Sequence, residues 1–349
     1  MIRLSNVNDT IEKEHKKWFD SYINKKLEKK IKELETEKNT SNSNFIEFLK
    51  KLKSIENLAI IENEEMLKLI DEFYKLNLSE KNLKDLIKIF NYDYFSDLKP
   101  PKWGRHKLLT SLDIKVCPYC QRNYITSYAL EESEKNKIEK TTADLDHFYP
   151  KADYPFLALS LYNFIPSCSV CNSRMKLDKP TYNKGTKQNS IVYPYTDDFK
   201  GVFKTNNQLL DVLIGNRNDF EVNIDAQGDL QTQATIDMFK LDKVYKEVHN
   251  EYLLNMMESI RNKPESYLKS IAEYLLNMME SIRNKPESYL KSIAEFFINE
   301  DSGNKEELEK AILANLKAIV LEPYKFKIEN GEPLAKLTKD ILKEFEIEI

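Results

Sequence analysis

The sequence has little glycine, little cysteine and no long apolar run. Of its 349 residues, 7 are glycine and 4 are cysteine. Scarce glycine combined with long Lys- and Glu-rich segments favours helices over a strand-rich fold. No stretch has the length of continuous apolar residues that a membrane span requires, and the first residues contain no apolar signal region. We therefore expect a cytoplasmic protein with no membrane partner.

Strong positive charge is also missing, which argues against a general polyanion-binding surface. The net charge is −4, whereas proteins that bind nucleic acid through overall charge are basic. Residues 101–185 nevertheless contain 13 Lys or Arg and 9 Asp or Glu. A mildly basic centre suits local phosphate contacts, although a difference of this size is also within ordinary fluctuation.

Hydrophobic periodicity divides the chain into three regions. Apolar residues at three- and four-residue spacing predict helices over residues 1–100, with Ser79 as an N-cap, and Lys99-Pro-Pro101 marks the end of this region. Residues 101–200 contain the cysteines and short aromatic and β-branched runs. Residues 201–349 are predicted to be mainly helical, with a strand over Phe220–Gly228.

A perfect tandem repeat lies in the third region. Glu251–Ala272 is repeated without change as Glu273–Ala294. Each copy predicts two short helices with a break at Asn-Lys-Pro, and two copies are too few for a solenoid. We interpret the repeat as a recent in-frame duplication; a duplicated contact surface for a partner is the alternative.

All four cysteines belong to two CxxC pairs, Cys117–Cys120 and Cys168–Cys171. Thiolates are soft ligands, and two such pairs can surround one tetrahedral zinc ion. A single CxxC could be a redox pair, but two pairs with no other cysteine favour structural zinc. Such a closed site would clamp both ends of the segment between the pairs without taking part in catalysis.

Polar residues near the second pair suggest a separate catalytic site. Asp146 and His147 are adjacent, so on a strand their side chains point to opposite faces. Asn172 and Lys176 are four residues apart, so on a helix they share a face. Carboxylate and amide oxygens suit Mg²⁺ or Mn²⁺ better than zinc. With histidine as general base and cations near the phosphate, this set can cleave a phosphodiester.

The ordered motifs CPYC, DLDHFYPK and NFIPSCSVCNSRMK resemble the zinc-bearing form of the HNH (ββα-metal) endonuclease motif over Val116–Lys176. The resemblance implies a zinc-stapled ββα core within a mostly helical α+β fold. It implies that His147 activates the attacking water and that Asn163 braces the loop that carries His147. It also implies that Asp146 and Asn172 bind the catalytic metal. Asn172 stands where many members have the last histidine, which favours Mg²⁺ or Mn²⁺ as that metal.

Several basic residues are candidates for substrate contact. Arg174 and Lys176 are the predicted substrate-binding residues, although Arg174 could equally be a solvated charge. His106 could assist the site or touch phosphate together with Arg105 and Lys107, but we interpret it as a polar residue of a connecting segment. His15 lies in a helical region and is assigned no role.

The overall layout also resembles HNH nucleases of bacterial antiphage systems, including the Septu-type nuclease that works with an ATPase. The oligomeric state is left open by the sequence. One alternative is a non-catalytic zinc module that binds nucleic acid or a protein, and another is a helical interaction protein in which the zinc core is a spacer. Our expectation is a DNA-cutting endonuclease of a defence system, with a partner ATPase encoded nearby.

Overall fold

A computed structural model describes residues 3–37, 42–133, 136–205, 221–261 and 321–344 of the chain. The described residues form a mostly helical α+β protein with small two-stranded antiparallel sheets, which confirms the predicted fold class at this level. The chain divides into two compact units. The first comprises Met1–Gly201 and Ala226–Leu241, and the second comprises Val202–Asp225 and Asp242–Ile349.

Helices dominate the part of the first unit that precedes the cysteines. They are Asp9–Thr36 (α1), Ser43–Ser54 (α2), Asn63–Lys75 (α3), Glu80–Ile89 (α4), Tyr92–Asp97 (α5) and Arg105–Leu112 (α6). The buried residues of α1 include Phe19, Ile23 and Leu27, a four-residue spacing that places them on one face. The Ser79 hydroxyl accepts a hydrogen bond from the Asn82 backbone N–H at 3.2 Å, which confirms Ser79 as the N-cap of α4.

Three small hairpins and a further α-helix also lie in the described part of the first unit. The strands are Ser127–Ser133 (β1), Asn136–Thr141 (β2), Asp144–His147 (β3), Phe164–Ser167 (β4), Tyr182–Asn183 (β5) and Gln188–Asn189 (β6), and the helix is Leu230–Phe239 (α7). Each strand pairs antiparallel with its neighbour in the sequence, β1 with β2, β3 with β4, and β5 with β6.

Aromatic side chains join the N-terminal helices to the cysteine-containing region. The ring centroid of Phe156 lies 5.4 Å from that of Phe48 and 4.8 Å from that of Phe73. Phe164 on β4 stacks on Phe95 of α5 at 5.6 Å. Such pairs bury large apolar areas. Residues 1–100 and 101–200, predicted as separate regions, therefore share one core within the first unit.

The second unit contains a fourth hairpin and further helices. Val202–Thr205 (β7) pairs antiparallel with Val222–Asp225 (β8), so a strand followed by a turn is present within residues 220–228, as predicted, although the strand itself is limited to four residues. The helices are Leu241–Val248 (α8), Asn250–Arg261 (α9), residues 321–329 and Ala335–Glu344 (α10). Of the tandem repeat, residues 262–294 lie outside the described residues. Among the described helices, none combines the length and the apolar character that crossing a membrane would need.

Candidate active site and metal centre

The candidate site is built on a strand–loop–strand–helix segment. In the β3–β4 hairpin, Asp144 lies opposite Ser167 and His147 lies opposite Phe164. A helical segment follows β4, and its residues Cys171–Lys176 form a π-helical turn. Turns of this kind occur frequently at functional sites. Because both strands are short, contacts outside the hairpin must fix the segment.

The four cysteine sulfurs provide one such set of contacts. They are buried and lie within 4.8 Å of one another. The Cys117 carbonyl accepts from the Gln121 N–H at 2.9 Å, and the Cys117 N–H donates to the Asn123 carbonyl at 3.0 Å. The Asn123 side-chain amide donates to the Cys168 sulfur at 3.2 Å. Asn123 therefore closes the turn of the first pair and contacts the second pair.

This cluster fits a single zinc ion. Four sulfurs held tetrahedrally at about 2.3 Å from zinc are roughly 3.8 Å apart, and the Cys120 and Cys168 sulfurs are already 4.0 Å apart. Hydrogen bonds from the other cysteines and from Asn123 lower the pKa of Cys168, whereas burial raises the pKa of Cys117. A divalent cation would allow all four sulfurs to be thiolates. Cys117, Cys120, Cys168 and Cys171 can thus hold zinc, as predicted.

His147, at the end of β3, is a buried neutral imidazole. Its Nε2 lies 3.0 Å from the Ala158 carbonyl oxygen. Because a carbonyl only accepts, Nε2 carries the hydrogen and Nδ1 keeps its lone pair. Burial lowers the pKa of His147 to about 3, and the positive charge of Lys151 contributes. The ring packs edge-on against Tyr92, with centroids 4.5 Å apart, so its orientation is fixed on two sides.

Asn163 holds the loop between β3 and β4 through three hydrogen bonds. Its Oδ1 accepts from the Tyr149 N–H at 2.8 Å, and its Nδ2 donates to the carbonyls of Tyr149 at 3.1 Å and Leu157 at 3.0 Å. The side chain is fully buried. Ala158 follows Leu157, so these bonds also position the carbonyl that orients His147. This geometry suits the bracing role expected of Asn163, whose effect on catalysis stays a prediction.

Asp146 and Lys176 form a buried ion pair. Lys176 Nζ lies 3.1 Å from Asp146 Oδ1 and donates to the His147 carbonyl at 2.6 Å. The Tyr119 hydroxyl donates to Asp146 Oδ2 at 2.7 Å. The side chain of Lys176 is 1% exposed and that of Asp146 is 4% exposed. Burial raises the pKa of Asp146, and the charge of Lys176 and the hydrogen bond from Tyr119 oppose that rise.

These contacts differ from the expectation for both residues. Lys176, expected to touch the substrate, is enclosed because its ammonium group neutralises Asp146. Asp146, expected to bind the catalytic metal, already has a donor on each carboxylate oxygen. Since Tyr119 lies between the first two cysteines, the network instead links the cysteine cluster to the end of β3.

A cleft of about 390 Å³ lies over the β3–β4 hairpin, and polar side chains line it. Asn172 contacts Asp144 here, with Nδ2 donating to Asp144 Oδ2 at 3.0 Å. Three of the four predicted catalytic residues line this cleft, and Asn163 supports it from behind. The polar and aromatic lining residues are Tyr92, Arg105, Asp144, Asp146, His147, Lys151, Asn172, Ser173 and Asp178.

In comparisons with known proteins, no family model, no curated protein and no solved structure matches this chain. The resemblance to HNH nucleases therefore rests on the ordered residues of the sequence.

The basic residues that line the cleft are not the predicted pair. Arg174 is exposed and is not among the residues lining the cleft in the described part of the chain, and Lys176 is enclosed. Arg105 and Lys151 line the cleft instead. Lys151 stands in the DLDHFYPK motif, four residues after His147, so its proximity was a readable signal. The sequence offered Arg105 as a phosphate contact together with His106, but no motif indicated its place in this cleft.

His15 also contacts the loop that carries the His147 partner. It is fully buried on α1, and its Nε2 lies 2.8 Å from the Leu159 carbonyl oxygen. Its Nδ1 accepts a hydrogen bond from Trp103 Nε1 at 3.0 Å. Burial lowers the pKa of His15 to about 4. The adjacent carbonyls of residues 158 and 159 are thus held by two neutral histidines. On an apolar helical stripe, this histidine could not be distinguished from an ordinary core residue.

Proposed function

We propose that this chain is a metal-dependent HNH endonuclease that hydrolyses phosphodiester bonds in DNA. The observation that carries the proposal is the state of His147, a neutral imidazole held by the Ala158 carbonyl at the edge of a polar cleft. An imidazole with Nδ1 unprotonated can accept a proton from an attacking water. The order of motifs around it supports the same activity.

Substrate binding would make His147 a stronger base. General bases work best when their pKa is near the working pH, whereas the pKa of His147 is about 3 in the protein alone. A nearby negative charge favours the protonated imidazole. An anionic phosphodiester would also neutralise the charge of Lys151, which contributes to the low pKa. The substrate would therefore oppose part of the lowering of the His147 pKa, of which burial is the largest cause.

Asp144 and Asn172 are the residues that would hold a catalytic Mg²⁺ or Mn²⁺. Both offer hard oxygen ligands, they contact each other at 3.0 Å, and they line the cleft with His147. When bound, the ion would polarise the phosphate and stabilise the leaving oxygen. In this assignment Asp144 replaces Asp146, whose carboxylate is engaged by Lys176. The cysteine-bound zinc would keep the hairpin and the π-helical turn in register.

The biological setting that we propose is a bacterial antiphage system in the cytoplasm, with a partner ATPase encoded nearby. The support is the layout of the sequence, and the net charge of −4 agrees with DNA being delivered by a partner. Expression of the gene with its neighbours should protect cells against some members of a broad phage panel. No protection against any phage would remove the support for this setting.

Plasmid cleavage by the purified protein tests the proposed activity. Full-length protein of known zinc content is incubated with supercoiled DNA in Mg²⁺, Mn²⁺ or EDTA, with single-stranded DNA and RNA in parallel. We expect nicking or linearisation that requires the divalent cation. If folded, zinc-loaded protein leaves every substrate intact, both alone and with the neighbouring ATPase, a non-catalytic zinc module becomes the better account.

A further inference from the structure

Two positive side chains, Arg105 and Lys151, line the cleft together with His147. Arg105 is the first residue of α6, and Lys151 lies in the loop after β3. Both act on the same ring, since Lys151 Nζ lies 4.5 Å from the Tyr92 centroid and the charge of Arg105 acts on the Tyr92 hydroxyl. Tyr92 packs directly against His147. Both cations therefore lie near a ring that contacts the proposed base.

Arg105 carries a buried donor with no acceptor. Its Nε is buried and has no hydrogen-bond partner in the described part of the chain. Leaving such a group unpaired is costly, and most buried polar groups in native proteins are satisfied. A ligand that enters the cleft could supply the missing acceptor. The planar guanidinium matches the oxygens of a phosphate, to which it can donate two parallel hydrogen bonds.

The residues before Arg105 hold its backbone in place. A Cβ atom on Gly104 would lie 2.6 Å from the Leu98 Cβ and 2.8 Å from the Phe95 carbonyl oxygen, so only glycine fits there. Trp103 is tied to the buried His15 through its indole N–H. These contacts fix the start of α6. The position of the Arg105 backbone therefore does not depend on a ligand.

The cleft lining also includes the carboxylates of Asp144 and Asp178, but among the described residues neither forms an ion pair with Arg105 or Lys151. The ammonium of Lys176 is already neutralised by Asp146. Besides the Tyr92 ring, Lys151 contacts the exposed carboxylate of Asp93 at 3.5 Å, and exposed ion pairs are weak. We propose that Arg105 and Lys151 bind the backbone phosphate of a nucleic-acid strand beside His147, with Arg105 as the principal contact. This inference rests on the proposed function and assigns the substrate-contacting residues of the same site.

Equilibrium binding of DNA tests the inference separately from cleavage. Full-length, zinc-loaded protein carrying His147→Ala serves as the parent, so that bound DNA stays intact. Labelled duplex and single-stranded oligonucleotides are titrated over a series of salt concentrations against Arg105→Gln, Arg105→Lys and Lys151→Gln. The matched control is Lys102→Gln, which removes the same charge from an exposed residue three positions before Arg105 and outside the cleft lining.

Arg105→Gln should weaken binding about tenfold or more and reduce the slope of log affinity against log salt by about one. Arg105→Lys should restore only part of the affinity, because lysine keeps the charge but not the planar fork. Lys151→Gln should show a smaller loss, and Lys102→Gln should bind like the parent. Thermal unfolding of each variant controls for folding.

The inference is overturned if Arg105→Gln binds like the parent, if Lys102→Gln loses as much affinity, or if the parent binds neither form of DNA. Its failure and that of the proposed function are distinguishable. Cleavage by the wild type that is unaffected by Arg105→Gln would contradict the phosphate contact alone. Binding that depends on Arg105, without any cleavage by the wild type, would contradict the endonuclease alone.

Discussion

At the residue scale, the site depends on which buried polar atoms have partners. His147 has one nitrogen tied to a backbone carbonyl, which leaves the other as the proton acceptor. Asp146 has both oxygens satisfied by Lys176 and Tyr119. Buried charges require such pairing, because the cost of desolvation is otherwise not offset. Asp146 is therefore part of a buried ion pair with Lys176, whereas the Asp144 carboxylate, in the cleft, is available to a cation.

Replacing Lys176 should destabilise the protein. Lys176→Met would leave the Asp146 carboxylate buried without a counter-charge, so the free energy of unfolding in urea should fall by about 3–5 kcal/mol. The double variant Lys176→Met/Asp146→Asn is the matched control and should recover much of this loss. A stable Lys176→Met protein whose only defect is weaker DNA binding would instead support the substrate contact expected from the sequence.

The buried His15 should make stability sensitive to acid. Its pKa is about 4 in the folded chain, below the ordinary value of 6.5, so the unfolded state binds the proton first as the pH falls. The resulting stability is fully present above about pH 6.5 and is lost towards pH 4, a loss on the order of 3 kcal/mol. Urea unfolding of the wild type and of His15→Gln between pH 7 and 4 measures it.

Glutamine can make both hydrogen bonds of His15 but does not titrate in this range. The wild type should therefore lose more stability than His15→Gln as the pH falls, while His147 and the cysteines contribute equally to both. Identical pH dependence in the two proteins would show that His15 does not remain neutral in the folded state.

The sequence could not separate the roles of neighbouring polar residues. Asp144 and Asp146 alternate along one strand, so they share a face by pattern alone. The π-helical turn places Lys176 beside Asp146, and this placement decides that Asp146, not Asp144, is neutralised. The cysteine pairs were different, because two CxxC spacings lead to one tetrahedral site whatever the fold around them.

At the element scale, a short hairpin and one helical turn are held together by the cysteine cluster. β3 and β4 contain four residues each, and isolated hairpins are marginal in water. The cluster joins the turn before β1 to the start of the π-helical turn, so it fixes both sides of the hairpin. Asn163 then fixes the loop inside it. The geometry of the candidate site therefore depends on the cysteine cluster as much as on the strands.

Loss of the metal should disrupt this arrangement. The protein should hold about one zinc per chain, and Cys171→Ser should lose it and show a lower midpoint of thermal unfolding, because metal binding contributes directly to folding. Ser169→Ala, an exposed change two residues away, is the matched control and should retain zinc. Full zinc content in Cys171→Ser, measured by metal analysis, would contradict the four-sulfur site.

At the scale of the whole molecule, the proposed site lies entirely in the first compact unit. The periodicity of the N-terminal helices was readable from the sequence, because amphipathic spacing depends on neighbouring residues only. Their packing against the loop through Phe156 and Phe164 was not, because those contacts join residues far apart in the chain. The place of Arg105 in the cleft depends on the same long-range packing.

Removing one copy of the tandem repeat should leave the chemistry intact. Deletion of Glu273–Ala294 removes an identical second copy that contains none of the proposed site residues. We expect unchanged zinc content and cleavage rates within about twofold of the full chain, since the deletion leaves one complete copy of the repeated sequence and every proposed site residue. Loss of cleavage with zinc retained would favour the alternative, in which the repeat forms a contact surface that activity requires.

The most direct test of the central claim compares plasmid cleavage by wild-type protein and by His147→Ala, with zinc content and thermal unfolding measured in both. The account predicts cation-dependent cleavage by the wild type and at least a hundredfold slower cleavage by the variant, in line with the usual contribution of a general base, at equal zinc content. Equal cleavage rates in the two proteins would contradict His147 as the base, and with it the assignment of this cleft as the active site.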